Sequence, residues 1–175
     1  NPYGVSVSAI TGVGNKLNNV ALIVCNALNV SGAAMIGQCF SSGNTDRVKG
    51  IFYRVFVFDL IFVTTMSALV LLFPQQLFGL FDRSEEVMVL AGIYAPVLAV
   101  SFMSYSVRSP SLALVNGLGN ATFNLVMGVV EGFILRIGLT WLLGIVLDWG
   151  VYGFWYGSAI ASYGYGLVVF PYFFS

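Results

Sequence analysis

Several stretches of this chain run through four or five helical turns without the polar interruptions that a soluble helix needs at each turn, and this constrains its fold more than any other feature. A helix apolar on every face must be surrounded by an apolar solvent. Only 8% of the 175 residues are charged and 58% are hydrophobic, whereas an ordinary globular chain carries about 25% charged residues. So few charges cannot coat a surface that faces water. The fold class is therefore all-α, a polytopic transmembrane helix bundle.

A spanning helix needs roughly 20 apolar residues, and that window finds five spans: residues 5–38 (A), 48–73 (B), 86–115 (C), 121–147 (D) and 151–170 (E). They are joined by SSGNTDR (Ser41 to Arg47), PQQLFGLFDRSE (Pro74 to Glu85), NGLGN (Asn116 to Asn120) and DWG (Asp148 to Gly150). Pro96 and Pro110 fall inside C and should bend it, because proline removes a backbone donor.

Short cytoplasmic loops are rich in Lys and Arg. The A/B joint carries Arg47 and Lys49 with Arg54 just beyond, while the B/C joint sets a single Arg83 against Asp82, Glu85 and Glu86. The A/B joint is thus expected in the cytoplasm, which puts the chain start outside and the chain end inside. Arg108, read as lying beside the C/D joint, agrees. An external start without a signal peptide calls for an upstream span, so five helices look like six with the first missing.

Other chemistries find little support. Cys25 and Cys39 make no CxxC pair and there is no histidine, so neither a metal centre nor redox chemistry is expected. No nucleophile motif or catalytic carboxylate pair is present, so neither catalytic residues nor an enzyme is expected. The formal net charge of zero leaves no electrostatic footprint for nucleic acid.

The polar residues within the spans carry the functional reading. On A, Ser8, Asn15, Asn19, Asn26 and Asn29 share a narrow stripe at 100° per residue. It serves helix packing or the wall of a water-filled substrate cavity, for which Asn15, Asn19 and Asn26 are the candidates. Asp59, Glu131 and Arg136 lie deep in spans, where a charge costs about 2.5–3.5 kcal/mol on insertion scales, and form a candidate internal charge network or proton site. Glu131 and Arg136 are five residues apart, so each should find partners on other helices, an ion pair that locks the bundle being expected for Arg136. Lys16 and Arg54 read as snorkelling to the headgroups. The GxxxG pairs Gly128/Gly132 and Gly153/Gly157 suggest close helix packing. NGLGN reads as a tight turn, and Trp149, Tyr152, Phe154, Trp155 and Tyr156 read as an interfacial belt.

These segments, taken in order, resemble a known family. GQCFSSGNTDRVK (Gly37 to Lys49) is similar to the GQxxGAGxxxR segment of the multidrug and toxic compound extrusion (MATE) transporters, with SSG in place of the usual GAG. The resemblance continues through LFPQQLFGLFDRSEEVMVLAGIYAPVLA (Leu72 to Ala99), ALVNGLGNATFNL (Ala113 to Leu125), EGFILRIGLTWLLG (Glu131 to Gly144) and GVYGFWYG (Gly150 to Gly157). It implies helices eight to twelve of a twelve-helix, inverted V-shaped transporter, and hence secondary active export of organic compounds, multidrug efflux by Na⁺ or H⁺ antiport with alternating access. The implied partners are small organic substrates, membrane lipids, the N-terminal half and the first helix of this lobe, in a plasma (inner) membrane. No cofactor beyond the coupling cation is implied. The acid that the family carries on its tenth helix has no counterpart in C. Two other readings stand beside this one: a lipid-linked oligosaccharide flippase of the same superfamily, and a non-transporting membrane assembly subunit.

Overall fold

The computed structural model describes residues 4–174, and among them it is built from helices alone. Eight α-helices follow in order: α1 (Gly4–Ser41), α2 (Thr45–Leu72), α3 (Pro74–Gly79), α4 (Glu85–Gly117), α5 (Ala121–Val129), α6 (Arg136–Trp141), α7 (Gly150–Ala161) and α8 (Gly164–Phe174). The π-helical stretch Val130–Leu135 fuses α5 and α6 into one rod, and a second, Leu142–Val146, extends it beyond α6. Four helical runs are long and apolar enough to cross a membrane: Val7–Ser41, Thr45–Leu72, Val87–Gly117 and Ala121–Val146. They coincide with A to D. Span E is divided: α7 and α8 are separated by a turn at Ser162 and Tyr163, and neither reaches spanning length alone.

Local chemistry sets the joints. Asn44 caps α2, its Oδ1 accepting from the Arg47 N–H at 3.2 Å, after Gly43 turns the chain at φ 74°. That left-handed conformation suits glycine, which has no Cβ to clash. The same device recurs at the expected NGLGN turn, where Gly119 has φ 74° and Asn120 accepts from Phe123 N–H at 3.1 Å to cap α5. Pro74 opens α3 at the first turn, where its missing N–H costs nothing.

α4 is the central helix, packing along α1 and α2 and touching α3, α5, α7 and α8. One apolar cluster joins Ile10, Leu17, Val63, Phe78, Leu98 and Phe102, and a second joins Ile36, Phe52, Leu114 and Tyr165. α4 runs unbroken as a helix through Pro96 and Pro110. Many large side chains on the outer faces are exposed, among them Phe58, Ile61, Phe133 and Ile137, as expected when the surrounding solvent is lipid.

The two GxxxG pairs behave differently. Gly157 lies so close to α6 that a Cβ there would stand 2.8 Å from the backbone of Thr140, and a Cβ on Gly153 would collide with the Leu143 carbonyl. Gly128 and Gly132 face open space, which corrects the expectation that both pairs pack within the bundle. The aromatic belt is corrected too. Trp149 and Tyr152 are exposed, but Trp155 turns inward to stack edge-on against Tyr94 with centroids 4.7 Å apart, and its indole N–H donates to Thr11 at 3.2 Å.

Candidate polar cavity and buried charges

Because α1 packs along α4 while α6 and α7 pack together alongside, their polar faces line a partly open cavity of about 420 Å³. Its wall carries Asn15, Asn18 and Asn19 from α1, Ser101 and Tyr105 from α4, and Arg136 from α6, closed by Ser158 and Ser162. Amides, hydroxyls and one guanidinium thus converge in an otherwise apolar bundle, the pattern of a hydrated or ligand-binding space in a membrane protein. The Tyr105 hydroxyl donates to Asn18 Oδ1 at 3.4 Å, and Arg136 Nη2 reaches Ser162 Oγ at 3.5 Å.

Two of the three expected cavity residues, Asn15 and Asn19, line this space. Asn26 does not: it lies two turns further along α1, beyond Leu22, where the cavity has ended. Asn18, at the edge of the polar stripe, takes part instead. Ser101 and Tyr105, four residues apart on one face of α4, were detectable as a polar pair at helical spacing. Ser158 and Ser162 are also four apart, and their small size alone drew notice in the sequence.

The three charge candidates do not form one network. Glu131 is buried and pairs with Arg108, whose Nε donates to both carboxylate oxygens at 3.1 Å. Arg108 stands nine residues before the end of α4 at Gly117, so it is an internal partner rather than a loop charge, and it says nothing about orientation. Glu131 lies in the π-helical stretch Val130–Leu135, whose wider turn narrows the angular offset between Glu131 and Arg136 without bringing them to a common partner. Glu131 faces α4 and Arg136 faces the cavity. The expected ion pair at Arg136 is therefore absent among the described residues, and the locking pair belongs to Glu131.

Asp59 stands apart from both. It is fully buried between α2 and its neighbours, and neither carboxylate oxygen receives a hydrogen bond among the described residues. The polar groups facing it are Ser109 on α4 and the Cys25 thiol on α1, and the Ser109 hydroxyl already donates to the Cys25 carbonyl at 3.0 Å. Lys16 has an aromatic neighbour: its ammonium lies 5.8 Å from the Phe81 ring centroid, a cation–π distance. That contact brings the first half of α1 to the same end of the bundle as the joint between α3 and α4.

Comparison with known proteins agrees with this architecture. The chain is 17% identical over 145 residues to a probable multidrug resistance protein NorM of Thermotoga maritima, covering 83% of this chain and 31% of that protein. It is 22% identical over 149 residues to the multidrug and toxin extrusion protein 1 of Oryctolagus cuniculus, covering 84% and 26%. The crystal structure of the eukaryotic MATE transporter AtDTX14 superposes with a TM-score of 0.84 at 16% identity, over 97% of this chain and 38% of that one. An inward-facing multidrug resistance MATE family transporter of the MOP superfamily gives 0.81 at 15% identity, over 93% and 38%. The chain therefore spans about a third of the length of the curated relatives it matches. The MatE family model matches residues 1–142, most of the sequence, and the chain belongs to the MatE family.

Proposed function

We propose that this chain forms most of one lobe of a secondary active exporter of organic compounds, a multidrug efflux protein that exchanges substrate for Na⁺ or H⁺ by alternating access. The observation that carries the reading is the polar cavity between α1, α4, α6 and α7, in a chain whose family contains transporters. Asn15 and Asn19 would contact substrate there, with Arg136 supplying the charge. Asp59 is the candidate proton site, because its carboxyl is enclosed and receives no hydrogen bond from the described residues. The protein would be a multi-pass component of the plasma (inner) membrane, with Arg47, Lys49 and Arg54 toward the cytoplasm, the chain start external and the chain end cytoplasmic.

The test is efflux of a fluorescent organic dye from cells that express the full-length chain and lack other exporters. Collapsing the Na⁺ or the H⁺ gradient should stop efflux, and Asp59→Asn should remove its dependence on the H⁺ gradient while the protein still folds. Efflux that continues with both gradients collapsed would refute the antiport, and unchanged H⁺ dependence in Asp59→Asn would remove that residue from the coupling.

A further inference from the structure

A second cleft, of about 520 Å³, lies where the end of α1 meets the start of α2. Two arginines line it, Arg47 and Arg54, together with Gln38, Asp46 and the apolar Met35 and Ile51. Both arginines are exposed, and neither has a carboxylate within ion-pair distance among the described residues, the ion pair there being Arg108 with Glu131. Asp46 shares the cleft, so the lining keeps a net charge of one cation.

Both guanidinium groups line this one cleft. Arg47 and Arg54 are seven residues apart, two turns of one helix face, or roughly 10 Å along the axis at 1.5 Å per residue. Cα–Cβ bonds in a helix tilt toward its N-terminus, so both side chains lean toward the end of α2 that meets α1. α2 has 28 residues, a length of about 42 Å against a hydrocarbon core of about 30 Å. With the helix centred, Arg47 stands in the headgroup layer and the Arg54 backbone about 8 Å inside the hydrocarbon boundary. An occupant that touches both must therefore enter from the lipid.

We propose that this cleft is a binding site for the phosphate of an anionic phospholipid, with Arg47 and Arg54 gripping the headgroup and Met35 and Ile51 lying against its acyl chain. Guanidinium forks match phosphate oxygens bidentately, and basic pockets between spanning helices select anionic headgroups. Gln38 adds an amide donor at the rim. The site is separate from the polar cavity and holds whether or not the protein exports drugs.

The full-length chain would be placed in phosphatidylcholine nanodiscs, with phosphatidylglycerol, with inorganic phosphate, or with neither. Melting temperature and the phosphatidylglycerol retained through detergent exchange would be read for the wild type, for R47Q/R54Q and for R47K/R54K. Phosphatidylglycerol should raise the wild-type melting temperature and stay bound. The glutamine pair should bind it about twenty-five-fold more weakly, about fivefold for each arginine removed, and the lysine pair should fall between. Equal retention by the wild type and the glutamine pair would overturn the site. So would a wild-type melting temperature that does not respond to phosphatidylglycerol, a measurement that stands even if the variants fail to fold. An equal rise with inorganic phosphate alone would show a free-phosphate site and overturn the assignment to lipid.

Discussion

Arg108 on α4 holds Glu131 on the π-helical stretch after α5 through Nε contacts of 3.1 Å to both carboxylate oxygens, joining two helices 23 residues apart in sequence. The Glu131 side chain is 5% exposed and that of Arg108 30% exposed, so the acid has little access to any other cation. Nearby, Tyr165 on α8 donates to Asn124 Oδ1 at 3.0 Å and Asn124 donates to Asn116 Oδ1 at 2.8 Å, extending polar contact from α8 through α5 to α4.

Arg108→Gln should therefore strand a buried carboxylate, a change that costs about 3–5 kcal/mol when the pair is enclosed. The full-length protein should express poorly or melt at a clearly lower temperature in detergent. Adding Glu131→Gln should recover most of the loss, because the uncompensated charge is gone. A double variant as unstable as Arg108→Gln would mean that the ion pair is not what holds α4 to this segment.

Arg136→Ala should behave in the opposite way. Its one side-chain hydrogen bond among the described residues is long, 3.5 Å to Ser162, and a hydrogen bond of ordinary strength contributes only about 0.5–1.5 kcal/mol net. Melting temperature should change little while the dye efflux profile changes. Loss of folded protein comparable to that of Arg108→Gln would return Arg136 to a structural role.

The glycines give a test of packing. Gly157→Ala puts a methyl 2.8 Å from the Thr140 backbone, and overpacking of this kind costs about 1–3 kcal/mol. Gly128→Ala meets nothing within 4 Å and should be neutral or gain up to about 1 kcal/mol from helix propensity. Equal damage from both, measured by thermal melting of the full-length chain, would mean that another segment packs on Gly128.

Orientation can be read chemically. In a Cys39→Ser background, a cysteine placed at Ser42 should resist a membrane-impermeant maleimide applied to intact cells, and one placed at Ser84 should react. Both positions are exposed joints of the bundle. Labelling at 42 and protection at 84 would invert the topology.

The helical, membrane-spanning character was decided by composition and run length alone, because a bilayer admits no unsatisfied backbone and so leaves apolar runs of this length few alternatives to helix. The bounds of A to D fall within four residues of the observed helices, and the joints after A and C were legible because Asn44 and Asn120 cap helices immediately after Gly43 and Gly119. Which polar residues meet is a different matter. One-dimensional spacing places a side chain on a face of its own helix but carries no information about which helix lies opposite. Asn18 joins the cavity and Asn26 does not because α4, α6 and α7 close around one stretch of α1. Glu131 and Arg136 take separate surroundings because Arg108 of α4 meets the one and the polar cavity receives the other, and Arg108, which looked like a loop charge, is drawn inside by the acid that packing sets against it. Only the tertiary structure decided these pairings, because a buried charge or amide answers to the groups that packing brings within hydrogen-bonding distance.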